Sequence, residues 1–252
     1  MEFLDGLPLL ALALSALGLF LGGLVKGVVG IGLPLVAVPL IALVFPVPTA
    51  VATLALPILA SNFWQLWQGP GPLPALKRFW ILILPLVAGI LLGAQLLVSL
   101  DEQRLNIVLG VLLLGFSLLQ FLPLKLEVPK KRVSLVDFLV GATAGLTGGL
   151  SSFYGPPLVM YLLLLRLPKE LFIPSIGTLY FIGGGTLYLT LAAYDFLTWQ
   201  ILLASFAGLL PVYAGMELGR RLRARLNEKI FFRAVLAVLA AIGGALILRA
   251  FG

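Results

Sequence analysis

Hydrophobic stretches separated by short polar breaks run the whole length of the chain. They fall near Leu7–Val25, Ile31–Phe45, Thr49–Trp67, Phe79–Leu100 and Leu105–Leu122. Five more follow near Leu135–Leu150, Pro156–Leu167, Leu171–Tyr194, Trp199–Leu218 and Ile230–Leu248. A helix that crosses the hydrocarbon core needs about 20 residues, within a range of about 17–25, and most of the stretches reach it. The second, sixth and seventh are short and adjoin glycine clusters, so broken or re-entrant helices are as well founded there as full crossings. The pattern predicts an all-α integral membrane protein with about 8–10 membrane segments.

The breaks have identifiable chemistry. Gly69-Pro70-Gly71-Pro72 ends the third stretch, because neither residue type continues a helix. Ser134 and Asp137 form a capping-box pattern that opens the sixth. Asp101-Glu102 and Asn227-Glu228 are N-cap candidates for the fifth and tenth. Residues 123–133 read as a linker between a first half, 1–122, and a second, 134–252, of a single transmembrane domain.

Composition sharpens this picture. The chain has 252 residues, 61% hydrophobic and 11% charged, against about 25% charged in a soluble domain. So much apolar surface cannot be buried in a water-soluble core, and lipid must be the solvent. Glu2 and Asp5 occupy the place where a cleaved signal peptide carries basic residues, so the first stretch reads as a membrane segment. The chain has no cysteine and no histidine. That removes disulfides, thiolate metal sites and imidazole chemistry. No metal, cofactor or enzymatic reaction is expected.

If each stretch is counted as one crossing, the basic residues collect on one side. Lys26, Lys77, Arg78, the run 124–134, Arg166, Lys169 and the run 220–229 share it, and Arg233 lies just inside the tenth stretch. Arg104 and Arg249 lie on the other side. The positive-inside rule then predicts cytoplasmic basic loops, both termini outside and residence in the cell (inner) membrane. The run Arg220–Arg225 reads as an anchor against anionic lipid rather than a nucleic-acid site.

The chain also resembles itself. Leu84–Glu102 aligns with Leu210–Glu228, matching Pro85 with Pro211, Gly89 with Gly215 and Gly93 with Gly219. Gly18, Gly22, Gly32 and Pro34 align with Gly141, Gly145, Gly155 and Pro157. Five stretches per half is an odd number, which predicts an inverted repeat, an arrangement common among secondary transporters.

Two glycine- and proline-rich breaks stand at corresponding places in the halves. The first carries Lys26, Gly27, Gly30, Gly32 and Pro34. The second carries Thr147, Gly149, Ser151, Ser152, Tyr154, Gly155 and Pro157. A broken helix frees backbone groups that hydrocarbon cannot satisfy, and a helix N-terminus after the break presents a positive dipole end to an anion. These residues are candidate substrate ligands near the midplane; close helix packing through small residues is the alternative. A lysine at mid-membrane costs at least about 2.5–3.5 kcal/mol, so Lys26 either faces a protein cavity or snorkels to the interface. Asn62 and Gln65 are further candidate lining residues, while Trp64 and Trp67 suit an interfacial belt. Glu217 is a candidate coupling carboxylate, although Arg220 and Arg221 stand at ion-pair spacing from it.

With these glycine motifs the sequence resembles the TauE/SafE family of membrane permeases, the sulfite exporter and sulfonate permease group. Gly27, Gly30, Gly32 and Pro39 occupy motif positions in the first copy, and Gly145, Gly149, Gly155 and Pro157 in the second. Leu33-Pro34 and Pro156-Pro157 replace the family's usual glycine run, and Lys26 stands where a small residue is common. The resemblance implies alternating-access transport, as export, of sulfite, sulfoacetate or another organosulfonate. An ion channel or a cation-coupled uptake permease for another small anion is the alternative. The expected partners are a small anion and membrane lipid, with proton or sodium coupling and oligomeric state left open.

Overall fold

The computed structural model describes residues 9–67, 70–121 and 133–251, and all their regular secondary structure is helical. The predicted linker lies outside these residues except for Val133, as does the very start of the first stretch. The helices are α1 (Leu9–Val29), α2 (Leu33–Ala42), α3 (Val47–Thr53), α4 (Ala55–Leu66), α5 (Leu73–Ser99) and α6 (Glu102–Phe121). After the linker come α7 (Val133–Ser151), α8 (Gly155–Leu164), α9 (Lys169–Ala193), α10 (Trp199–Ala207), α11 (Leu209–Arg223) and α12 (Glu228–Phe251).

Among the described residues, seven helical segments are long and apolar enough to cross a membrane, counting α10 and α11 as one. The pair α3 and α4, bent by 43°, has the length and apolarity of either a broken span, which would be an eighth, or a re-entrant loop. The two remaining apolar helices, α2 and α8, have only 10 residues each. The second and seventh stretches are thus short, as expected, whereas the sixth forms the 19-residue α7. Large apolar side chains such as Leu9, Leu189 and Leu210 face outward, which only lipid makes favourable.

Local chemistry sets several boundaries. Asp101 caps α6 by accepting from the Arg104 amide at 2.8 Å, and Asn227 caps α12 by accepting from Ile230 at 3.3 Å. The expected capping box at Ser134 and Asp137 does not form. Helix α7 is already under way at Val133, and Asp137 is buried against the Tyr161 hydroxyl instead.

The chain folds as two compact units. In the first (residues 9–57, 100–121 and 195–251 of those described), α1 packs along α11 with backbones almost touching. A Cβ on Gly23 or Gly27 would overlap the backbone of Val212 or Met216, and one on Gly215 or Gly219 would overlap that of Phe20 or Leu24. Short helix α2 folds back onto α1 at Gly18 and Gly22. Its last carbonyls, Ala42 and Leu43, accept from the Arg249 guanidinium at 3.4 and 3.0 Å. The bend between α3 and α4 frees the Leu56 amide, which donates to buried Ser205 at 2.9 Å.

The second unit (residues 58–67, 70–99 and 133–194 of those described) uses the same device. Gly141, Gly145 and Gly149 of α7 stand against the backbone of Leu82, Leu86 and Ile90, while Gly89 and Gly93 of α5 stand against Ala142 and Leu146. Small residues let helices approach until dispersion and backbone contacts hold them where lipid offers no hydrophobic drive. Helix α9 packs on α5 and reaches α4 through the Phe63–Phe181 ring pair.

In both units, a long helix docks on a glycine-bearing helix from the other half of the chain, and the short helix after it folds back onto the long one. The packing gives Gly23 and Gly27 the role that Gly145 and Gly149 have. That register is one residue away from the sequence alignment, which matched Gly22 with Gly145.

Candidate functional site

The second break supplies the unusual chemistry. Helix α7 closes with the Ser152 amide donating to the Gly148 carbonyl at 2.7 Å. Ser152 itself adopts a φ of +64°, a left-handed conformation that costs an ordinary residue about 1–2 kcal/mol. The first break solves the same problem with glycine, at φ +89° for Gly30 and +100° for Gly32. Glycine would serve the backbone at position 152 better, so the retained side chain requires another reason.

The Ser152 hydroxyl is fully buried and has no hydrogen-bond partner within the protein. The hydroxyls of Tyr154, Tyr180 and Tyr188 share that condition, each residue being no more than 5% exposed. The four gather around the start of α8. The Tyr154 and Tyr180 rings meet edge to face with centroids 5.1 Å apart. Ser152 is close enough to the phenolic groups of Tyr154 and Tyr188 to interact with both, but neither contact reaches the distance and angle of a full hydrogen bond.

Glycines make room for these rings. A Cβ on Gly148 would meet the Tyr154 ring at 2.7 Å, and one on Gly155 would meet the Tyr180 hydroxyl at 2.6 Å. A Cβ on Gly184 would approach the Tyr154 hydroxyl at 3.3 Å. Each unsatisfied buried hydroxyl costs about 1–3 kcal/mol. Pro156 and Pro157 remove two amide donors from the first turn of α8, so side-chain hydroxyls are the donors concentrated there. Together with the positive end of the α8 dipole they can hold an oxyanion by hydrogen bonding, without a fixed positive charge.

The other candidates are placed as follows. Ser151 is buried, but its hydroxyl donates to the Thr147 carbonyl at 2.8 Å, and Thr147 donates to backbone carbonyls in turn. Gly27 and Gly149 make helix contacts. Gly30 has open space beside it, and Gly32 precedes Pro34 in the first turn of α2. Pro157 likewise lies in the first turn of α8, one residue further in.

Lys26 is 4% exposed in the last turns of α1, a position that fits a protein-facing lysine rather than one snorkelling to an exposed interface. Asn62 is buried in α4, and Gln65 packs there against Gly177 of α9. Glu217 lies on an exposed face and accepts from Arg220 at 2.8 Å and Arg221 at 2.7 Å. Trp64 and Trp67 are exposed, as an interfacial belt requires.

Sequence reasoning missed Tyr180, Tyr188 and the burial of Asp137. The tyrosines did leave a signal, since they flank Gly183-Gly184-Gly185 at a spacing of about two helical turns.

No curated protein and no solved structure matches the chain. Residues 14–246 match the family described as Sulfite exporter TauE/SafE. That match takes in both breaks, these four hydroxyls and all or most of every helix long enough to cross a membrane. The chain is therefore a multi-pass membrane protein that belongs to the sulfite exporter TauE/SafE family of transporters.

Proposed function

We propose that this transporter carries a small oxyanion, sulfite or an organosulfonate such as sulfoacetate, outward by alternating access, and binds it at the second break. One observation supports this above all: Ser152, Tyr154, Tyr180 and Tyr188 bury four hydroxyls together with no partner in the protein. A sulfonate or sulfite group offers three oxygens that accept such donors. The inverted-repeat reading is supported by the reciprocal glycine docking of the two halves, and it suits alternating access.

The proposed orientation keeps the basic loops in the cytoplasm and both termini outside. Export then follows from electrostatics: each negative charge leaving a negative interior gains about 2.3 kcal/mol per 100 mV. Lys26, buried and cationic in type, would raise the potential for anions within its own unit. Glu217, engaged on an exposed face, has little to offer as a coupling group.

Thermal shift of the detergent-purified protein with sulfite, sulfoacetate, sulfate and acetate tests the substrate class. The sulfur oxyanions should stabilise the protein and acetate should not. Equal, negligible shifts with all four would remove the proposal's support.

A further inference from the structure

Asp137 is the sole buried carboxylate among the described residues, at 5% exposure. It lies on α7, about 20 Å of helix away from Ser151 at the other end. Its oxygen accepts from the Tyr161 hydroxyl of α8 at 2.6 Å, within the range of a strong charge-assisted hydrogen bond. Arg78, at the start of α5, acts on it electrostatically. The neighbouring Lys77 and, on α9, Glu170 are exposed, whereas Tyr180 and Tyr188 belong to the cluster at the far end of α7. Among the described residues, only Tyr161 therefore bonds the carboxylate directly.

This bond joins the two arms of one hairpin. α7 is the long arm, α8 the short arm, and the substrate-binding break is the turn between them. An ionisable group inside a membrane segment marks an ion or proton pathway by default. Here the partner is on an element of only 10 residues, joined to α7 through a turn that holds Ser152 in a left-handed conformation. If α8 shifts along α7, Asp137 loses its hydroxyl donor. A buried carboxylate without a hydrogen-bonded partner is too costly to keep ionised, so a proton must arrive as the donor leaves. Return of Tyr161 expels that proton.

We infer that Asp137 is a proton-coupling site, which exchanges its proton as Tyr161 undocks and redocks during anion turnover. This inference rests on the anion-transport reading above and adds a coupled ion to it.

The test uses proteoliposomes with the full-length protein, a pH-reporting dye in the lumen and the membrane potential clamped. Sulfoacetate is the probe, because its sulfonate carries no proton at neutral pH. Two quantities are read together: exchange of labelled sulfoacetate across the membrane, and the luminal pH change driven by a sulfoacetate gradient.

Wild type should show both. Asp137→Asn keeps an acceptor for Tyr161 but cannot ionise, so exchange should stay within about twofold while the pH change disappears. Tyr161→Phe removes the donor that keeps the carboxylate ionised, so Asp137 should stay protonated: exchange should persist while the pH change per sulfoacetate moved is lost. Absence of a pH change in wild type that exchanges sulfoacetate would overturn the inference. So would a normal pH change in Asp137→Asn. Loss of exchange in wild type would instead refute the anion-transport reading.

Discussion

The Tyr180 hydroxyl lies 2.6 Å from the point where a Cβ on Gly155 would sit, so the start of α8 is open to a phenol only because residue 155 has no side chain. Gly155→Ala would push Tyr180 away. The expected result is at least about tenfold weaker anion binding, equivalent to one lost hydrogen bond of roughly 1.4 kcal/mol. Adding Tyr180→Phe should recover stability and leave binding weak, as thermal melts with and without sulfoacetate would reveal.

Ser152 sits in a left-handed conformation with its hydroxyl buried and unpartnered. Ser152→Gly relieves both burdens, so the ligand-free protein should gain stability of about 1 kcal/mol or more. Affinity for the anion should fall in the same variant. A variant that binds normally would show that the hydroxyl does not touch the substrate.

The helix contacts predict which glycines tolerate a methyl group. Gly149→Ala drives a Cβ into the Ile90 carbonyl, whereas Gly244 has open space beside it. Gly244→Ala should be neutral or stabilising by up to about 1 kcal/mol through helix propensity. Gly149→Ala should lower the melting temperature in detergent and reduce the yield of folded protein.

Ser205 satisfies the Leu56 amide at the bend between α3 and α4. Ser205→Ala leaves that buried donor without its partner and should cost about 1–3 kcal/mol. Denaturant-dependent unfolding in mild detergent would measure it.

The helices were legible in the sequence because a lipid-facing segment must satisfy its backbone internally and present apolar side chains along its length. Asp101 and Asn227 announced helix starts, and both cap as expected. Asp137 carried the same local signal but took a different role, because Tyr161 lies 24 residues on in sequence and meets it only after the chain turns back. The second break was visible in its glycines and prolines, and Ser152 and Tyr154 were picked out with it. Tyr180 and Tyr188 were not: they flank Gly183-Gly184-Gly185, but that spacing alone does not tell that their hydroxyls will be stranded. The helix pairings were also beyond reach: Gly23 meets Val212 across most of the chain, and glycine spacing alone does not name a partner.

The central claim is that the stranded hydroxyls are the anion's ligands. The most direct measurement compares labelled sulfoacetate exchange by wild type and by the triple variant Tyr154→Phe/Tyr180→Phe/Tyr188→Phe in proteoliposomes. The variant keeps the ring packing and loses three buried hydroxyls, so it should be at least as stable as wild type. The account predicts loss of exchange by 100-fold or more, from three hydrogen bonds of about 1 kcal/mol each acting together. Exchange by a well-folded triple variant at the wild-type rate and affinity would contradict it.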